Sequence, residues 1–328
     1  MKNKKTLFIF LFSLFLILSK NKIFSEETKV EFSISPEFGL LNGKIVENVW
    51  NADMIPTNTG YIFEPTTKRS RLDWQINNTP YIGATIHSVF ERHLVLNFYF
   101  MSAIKRSCGI MEDYDWNPNQ PDHLTNYSYH KNYLKSLSQI NFNIGYAFNI
   151  NKLFPISISP LLGIEIFNFV FSGRGGYRTY ETENWEIKRY PDDKIVIDYE
   201  QSYVSPRLGL LTDFDFSRFF ETKIHFFVSY INTLNAYDSH EIRSVYWHDE
   251  LRNLWKFDAR MELIFKINKS NHISFIGCIN YIPDAFGFTY KSFTSKDDFP
   301  SNPVNSALGG TNRFLWSYGL SYTFKFVS

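Results

Sequence analysis

The sequence predicts an all-β protein, a ten-stranded antiparallel transmembrane β-barrel with long extracellular loops. Three observations predict it: apolar and polar residues alternate, the polar face is often fully charged, and the connections alternate between short and long. Alternation with a period of two marks strands that have one apolar face. A membrane barrel turns that face to lipid and encloses a polar interior.

The alternation is strongest in three segments, residues 139–150, 255–267 and 314–326. In the second of these, apolar and charged side chains occupy opposite faces: Trp255, Phe257, Met261, Leu263 and Phe265 against Lys256, Asp258, Arg260, Glu262 and Lys266. A soluble sandwich, which buries its apolar face against a second sheet, would also alternate. Large aromatic residues at the strand ends favour the barrel, because such residues form girdles at membrane interfaces.

The connections set the number of strands. Polar, turn-forming residues predict short turns near 77–80, 149–154, 214–221 and 268–271, and long loops near 51–68, 104–133, 172–195, 235–252 and 284–312. Four short turns and five long loops imply ten strands, which we place at 29–50, 69–77, 82–103, 134–150, 155–171, 196–213, 222–235, 242–267, 271–283 and 312–327. Several exceed the roughly 9–11 residues that a membrane-spanning strand needs. The barrel should therefore project beyond the membrane on its long-loop side.

The composition excludes several other classes. The 328 residues are 44% hydrophobic and 18% aromatic, with 34 Lys and Arg against 33 Asp and Glu. The mean hydropathy is too polar for many helical spans, and the apolar content is too high for a disordered chain. Two cysteines, Cys108 and Cys278, are too few for a disulfide scaffold or a cysteine-based zinc module. The near-neutral charge gives no reason to expect a nucleic-acid partner.

The first 25 residues have the pattern of a secretory signal peptide. Three lysines precede an apolar run over residues 7–18, and the small residue Ser25 precedes two acids. The apolar run is too short for a membrane span of about 20 residues. We expect residues 1–25 to be removed and residues 26–328 to form one barrel domain. Cleavage removes five lysines and no acid, so the net charge changes from +1 to −4.

Two pairs of polar residues at a spacing of two lie in the predicted long loops. Asp113 and Asp115 form one pair, and Asp238 and His240 form the other. In an extended segment, residues i and i+2 point to the same face. Each pair can therefore direct two polar groups into one cleft at the barrel mouth. A calcium site or plain solvated loops would give the same spacing.

If the pairs face each other, they can carry out hydrolysis without a Ser or Cys nucleophile. A carboxylate beside an imidazole orients it and stabilises its charged form. The imidazole can then deprotonate a water molecule. Two close aspartates tend to share one proton, because both cannot ionise cheaply. Such a pair can hold the water and support the developing oxyanion.

The chain resembles the omptin family of outer-membrane aspartic-type proteases over nearly its whole mature length. The resemblance is carried by short motifs in the family's order: GLLNGKIVENVW (39–50), RLDWQINN (71–78), MEDYDW (111–116), SYH (128–130), GRGGY (173–177), DSH (238–240) and SYGLSYTF (317–324). The third and sixth of these look like the family's catalytic motifs, and the last resembles its closing strand.

The resemblance implies a role for each matching residue. Asp238 and His240 would activate the attacking water, and Asp113 and Asp115 would position it and assist the oxyanion. Three further residues would bind substrate: Ser128 and His130 shape the groove, and Glu47 holds a basic side chain before the cut. No metal or other cofactor is implied.

Two departures from the family pattern affect specificity and lipid binding. Where the family has a second acid, two residues before the dyad aspartate, this chain has Ala236. The loss of a second carboxylate should weaken the binding of a substrate Arg or Lys side chain. The family's lipopolysaccharide site is matched here by Ile164, Ile166, Asn168 and Ser202. We expect the protein to work without lipopolysaccharide or to bind another lipid as activator.

Together these features predict an outer-membrane endoprotease, with its active site on the extracellular side, that cleaves exposed peptide bonds next to basic residues. Its partners would be a peptide or protein substrate and outer-membrane lipid, and it would act as a monomer. Two alternatives remain at this point. One is an impaired omptin-like barrel that acts as an adhesin, and the other is a small pore with an open lumen.

Overall fold

The structure, a computed structural model, describes residues 30–57, 60–150, 155–304 and 307–327. The predicted signal peptide, residues 1–25, lies outside the described residues. The strands are β1 (Val30–Thr57), β2 (Gly60–Phe90), β3 (Leu94–Ala103), β4 (Arg106–Asn117), β5 (Gln120–Tyr146), β6 (Phe148–Asn149), β7 (Ile156–Tyr180), β8 (Lys188–Arg189), β9 (Ile195–Asp215), β10 (Phe220–His240), β11 (Val245–Lys266), β12 (Asn271–Ser292) and β13 (Ala307–Val327). A 3₁₀ turn covers Glu181–Glu183. In the part of the chain that the structure describes, no helix is long and apolar enough to cross a membrane.

The strands pair antiparallel in a closed ring. β1 pairs with β2 on one side and with β13 on the other, so the sheet has no free edge there. β3 and β4 both lie between β2 and β5 and together fill one position of the ring. β6 and β8 are two-residue strands that pair with β7. The ring therefore has ten positions, which confirms the predicted fold class.

The apolar faces point outward, as the alternation predicts. Outward side chains of β5, β9, β11 and β13 are about half exposed, among them Phe142 (40%), Leu208 (65%), Trp255 (52%) and Phe324 (45%). These side chains form an apolar belt on the outer face of the barrel. A lipid-facing band of this kind flanked by aromatic residues is typical of a transmembrane barrel.

Charged side chains fill the lumen inside this belt. Lys256 is fully buried and lies 2.5 and 2.6 Å from the two carboxylate oxygens of Glu165. Its ammonium group is also 2.8 Å from Asp258. Arg207 completes the group at 3.6 Å from Glu165 and 3.7 Å from Asp258. Opposite charges thus compensate each other inside the barrel.

Above this cluster, the guanidinium of Arg313 lies 4.1 Å from the ring centre of Phe167 and donates to the Tyr203 hydroxyl at 2.7 Å. Arg313 is fully buried, and Phe167 and Tyr203 are nearly so. Side chains therefore close the barrel at mid-height. This packing argues against the small-pore alternative.

The turn predicted near 77–80 is wrong. β2 runs through these residues, and the chain reverses at 91–93, where Glu91 and Arg92 have φ values of 50° and 62°. A bulge explains the misleading sequence signal: the β1–β2 register shifts between Leu41 and Gly43, and Asn78 adopts a φ of 45°. The Asn78 N–H donates to the Asn42 side chain at 2.8 Å, which replaces the lost ladder hydrogen bond.

The predicted long loops are mostly paired strand. β4 and β5 pair from Arg106 to Asn117, within the predicted loop 104–133. β10 and β11 pair up to His240 and Val245, within the predicted loop 235–252. The hairpins extend the barrel wall above the apolar belt. Both candidate pairs of catalytic residues are therefore on rigid strands, which hold side chains more accurately than loops do.

We expect Lys256→Met to destabilise the barrel by up to about 3–5 kcal/mol, because the substitution removes the nearest cation from the buried Glu165 carboxylate and leaves Arg207 at 3.6 Å. The double variant Lys256→Met with Glu165→Leu should recover much of that loss. Urea titration of the detergent-refolded protein measures both changes. Lys188→Met, which removes an exposed partner of Glu183, serves as control, and equal stability of Lys256→Met and the wild type would contradict the expectation.

Candidate active site

Asp113 and Asp115 lie on β4 and point to one side of it. Asp113 is opposite Ser128 on β5, and Asp115 is opposite Asn126 on β5 and Ser70 on β2. The Asn126 amide donates to a carboxylate oxygen of Asp115 at 3.1 Å. One oxygen of Asp113 has no hydrogen-bond partner among the described residues. The pair thus has a buried carboxyl oxygen that is free to contact a ligand.

Asp238 and His240 form a contact at the end of β10. His240 Nε2 lies 2.6 Å from a carboxylate oxygen of Asp238, which is 4% exposed. The other ring nitrogen, Nδ1, accepts a hydrogen bond from the Arg243 guanidinium. A guanidinium only donates, so Nδ1 carries no proton here. Nε2 therefore carries the proton and donates to Asp238.

The two pairs face one cleft. β4 and β10 are four places apart in the ten-position ring, so they lie nearly across the barrel from each other. Burial is the main cause that raises the pKa of Asp113 well above its usual range, and the charges of Asp115 and Asp238 raise it further. The Arg243 guanidinium acts in the opposite direction. Asp113 thus keeps its proton at a pH where an exposed aspartate has lost it.

Ser128 and His130 lie beside the Asp pair with a defined hydrogen-bond direction. His130 is fully buried; its Nδ1 lies 2.5 Å from the Gly175 carbonyl and its Nε2 lies 2.9 Å from the Ser128 hydroxyl. A carbonyl only accepts, so Nδ1 carries the proton. Burial lowers the pKa of His130, which favours the neutral ring. The Ser128 hydroxyl therefore donates to Nε2, and its lone pairs remain available as acceptors.

Glycine is required at the turn that receives His130. Gly175 and Gly176 have φ values of 58° and 79°, in the left-handed region. A side chain on Gly176 would collide with the Tyr129 carbonyl. The Arg-Gly-Gly motif therefore brings the Gly175 carbonyl to the buried imidazole. Arg174 itself packs its guanidinium 4.6 Å from the ring centre of Tyr133.

Glu47 lies on β1 at the floor of the same cleft. It is opposite Leu72 on β2 and Thr311 on β13, and it is 2% exposed. Burial raises its pKa well above the usual range, followed by the charges of Asp238, Asp249 and Asp113. The structure thus brings Glu47 together with both pairs.

The sequence reasoning missed Asp249. This residue on β11 lies directly opposite Ala236 on β10 and is 5% exposed. Burial raises its pKa to about 7, with a further contribution from Asp238 and an opposing one from the Thr289 hydroxyl. Counting residues back from the β10–β11 turn could have found it, because an antiparallel hairpin pairs residues at equal distances from the turn.

The positions matching the family's lipid site are also placed by the structure. Ile164 and Ile166 on β7 are 45% and 37% exposed and belong to the outward belt. Asn168 accepts a hydrogen bond from Ser138 and lies opposite Ser202 on β9. These positions therefore present an apolar and neutral surface.

Cys108 and Cys278 are free thiols.

No cluster of three or more His, Cys, Asp or Glu side chains suited to a metal ion occurs in the described ranges.

The fold and the cleft define a membrane β-barrel whose lumen is filled and whose protruding end carries a buried acid-rich cleft. The family model described as the Omptin family matches residues 28–324. The chain therefore belongs to the omptin family.

Of two similar solved structures, the first shares the fold of this chain. The outer membrane protease OmpT from Escherichia coli superposes with a TM-score of 0.75 at 20% identity, over 93% of this chain and all of that one. The outer membrane protein OprG from Pseudomonas aeruginosa gives a TM-score of 0.35 at 10% identity, over 90% of this chain and 95% of that one. No curated protein sequence matches.

We expect Asp249→Asn to stabilise the protein at alkaline pH and to leave its stability unchanged at pH 4. The folded-state pKa of about 7 exceeds the ordinary aspartate value of about 3.9. The folded state therefore binds more protons between these values, and the contribution of Asp249 to stability falls as pH rises through this window. Asparagine cannot ionise, so the variant avoids the loss of stability that the wild type shows as pH rises.

Urea titrations of wild type and variant at pH 4, 6 and 9 measure the difference. Glu241→Gln, on the exposed turn after β10, is the matched control. A difference that is the same at all three pH values would contradict a buried carboxylate at position 249.

Proposed function

We propose that this omptin-family barrel is an endoprotease of the bacterial outer membrane, with its cleft on the extracellular side. One observation carries the proposal: an Asp–His pair and an Asp–Asp pair lie on nearly opposite strands of one cleft, above a filled lumen. The cleft contains a base, an orienting carboxylate and a protonated acid, which are the groups that water-mediated hydrolysis of a peptide bond requires. The family membership supports the same activity.

In the proposed reaction, His240 Nδ1 takes a proton from a water molecule bound between the two pairs. Nε2 keeps its proton and donates it in a hydrogen bond to Asp238, whose negative charge stabilises the imidazolium that forms. Asp115 holds the water, and the protonated Asp113 donates to the carbonyl oxygen as negative charge develops on it. The imidazolium then returns its proton to the leaving amine.

Substrate contacts follow from the remaining residues. Ser128 has free lone pairs next to Asp113 and accepts a backbone N–H of the peptide, while His130 fixes the direction of its hydroxyl. Glu47 binds a basic side chain on one side of the scissile bond. The preference for basic residues rests on this buried carboxylate.

The outer face of β7 bears on the need for an activating lipid. Ile164 and Ile166 expose apolar side chains where an anionic lipid head group would need basic partners. We therefore propose that lipopolysaccharide is not required as an activator, although outer-membrane lipid surrounds the barrel. Since one chain closes the ring, the monomer is proposed as the active form.

His240→Ala and Asp113→Ala should each reduce kcat/KM by at least about 10²–10⁴-fold, the range expected for a positioned base or acid. A fluorogenic peptide assay with detergent-refolded protein measures this. The matched controls are His248→Ala and Glu112→Gln, because these residues lie on the same hairpins and point away from the cleft, toward Tyr237 and Tyr127.

Unchanged turnover in either cleft variant would refute the mechanism. Absence of turnover in the wild type, with binding to peptides or surface proteins retained, would favour the adhesin alternative instead.

Arg243→Ala should raise kcat/KM, by up to about tenfold if the displaced hydrogen bond is worth about 1.4 kcal/mol. The guanidinium occupies the lone pair of His240 Nδ1, which is the atom that must accept the proton of water. The same assay, run from pH 5 to 9, measures the change. A loss of kcat with unchanged KM would show that Arg243 instead stabilises the transition state.

A further inference from the structure

We propose that Asp249 supplies a second carboxylate to the Glu47 pocket, and that the two acids together bind the guanidinium or ammonium group of a substrate Arg or Lys. The inference rests on the proposed proteolytic function and assigns a specificity residue that the family resemblance does not. It also revises the expectation drawn from Ala236, because the acid missing from β10 is replaced by one on the neighbouring strand.

The first argument is geometric. Ala236 and Asp249 are directly opposite each other in the β10–β11 ladder. Directly opposite residues have Cβ atoms about 4.5–5.5 Å apart and share one face of the sheet. A carboxylate on either residue therefore reaches nearly the same volume. Asp249 extends across to β13, where its carboxylate lies against the Cα of Gly309 and leaves no room for a side chain there.

The second argument is the lack of a cation. Glu47 and Asp249 are 2% and 5% exposed, yet within the described ranges neither forms an ion pair with a lysine, arginine or histidine. One carboxylate oxygen of Glu47 and one of Asp238 also lack any hydrogen-bond partner there. Uncompensated buried carboxylates are costly. In the same barrel, the buried Glu165 has both Lys256 and Arg207.

The third argument is that Glu47 and Asp249 are close enough to influence each other and the same tyrosine electrostatically. After burial and the charge of Asp238, the charge of Asp249 raises the pKa of Glu47. Burial raises the pKa of the Tyr199 hydroxyl well above its usual range, and the charges of Glu47 and Asp249 raise it further. Tyr199 stacks on Trp74 at 5.6 Å between ring centres. The pocket thus combines two acids with an aromatic wall, and both features favour a desolvated cation. Asp238 also acts on Glu47 and Asp249, so the pocket adjoins the catalytic pair.

The test compares peptides that differ only in Arg or citrulline before the cleaved bond. Citrulline has the shape of arginine without the charge. Asp249→Asn should lower kcat/KM for the Arg peptide by roughly 10- to 100-fold, as expected for a lost charge-assisted contact in a buried site. It should change the citrulline peptide little, so the ratio between the two peptides shrinks.

The double variant Ala236→Asp with Asp249→Asn provides the decisive measurement. Because the two positions face each other across the ladder, moving the carboxylate back to β10 should restore the Arg preference. Glu250→Gln is the matched control, since Glu250 is the next residue on β11 and pairs with the exposed Arg252 outside the cleft.

The possible failures are distinguishable. If the wild type cleaves the Arg peptide and Asp249→Asn leaves the Arg-to-citrulline ratio unchanged, the assignment of Asp249 is wrong while the protease stands. Loss of activity on both peptides in Asp249→Asn without rescue by Ala236→Asp would show a structural role and would also overturn the assignment. If the wild type cleaves neither peptide nor any member of a broad library, the proposed function itself fails.

Discussion

The need to satisfy every backbone hydrogen bond in lipid governs the rest of this structure. Hydrocarbon offers no partner to an exposed N–H or C=O, so a sheet that crosses a membrane must close on itself. The pairing of β1 with β13 provides that closure. Once the ring is closed, alternate residues must face either lipid or lumen. The aromatic belt and the charged interior are the two consequences of this single constraint.

The height of the barrel wall follows from the same pairing. Strands of 20 residues and more, such as β10 and β11, continue their ladder well beyond the apolar belt. The catalytic candidates therefore occupy fixed positions in a ladder, where a shift of one residue would turn each side chain to the other face. Asp238 and His240 owe their common direction to the strand pleat, and the register turns both toward the cleft. Their separation of two residues would not ensure it in a flexible loop.

The sequence predicted the faces of the strands and the number of ring positions, because both depend on periodicity along the chain. It also predicted that the Asp113–Asp115 and Asp238–His240 pairs direct their side chains into one cleft. The turn expected at 77–80 failed because a bulge uses the same residue types as a turn, and only the partner residue Asn42 shows the difference. Asp249 was missed because its importance depends on which residue lies opposite, and that information is in the register between strands.

Buried acids have different partners in the lumen and in the cleft. In the lumen, Glu165, Asp258 and Glu37 each contact a lysine or arginine within 3 Å. In the cleft, buried acids cluster with each other; Arg243, on an exposed turn, donates to His240 and lowers the pKa of Asp113 by its charge. In the absence of a cation, the cleft acids respond by holding their protons more tightly, because burial raises the pKa values of Glu47, Asp113 and Asp249. The proposed substrate cation would supply to Glu47 and Asp249 the partner that Lys256 supplies to Glu165 in the lumen.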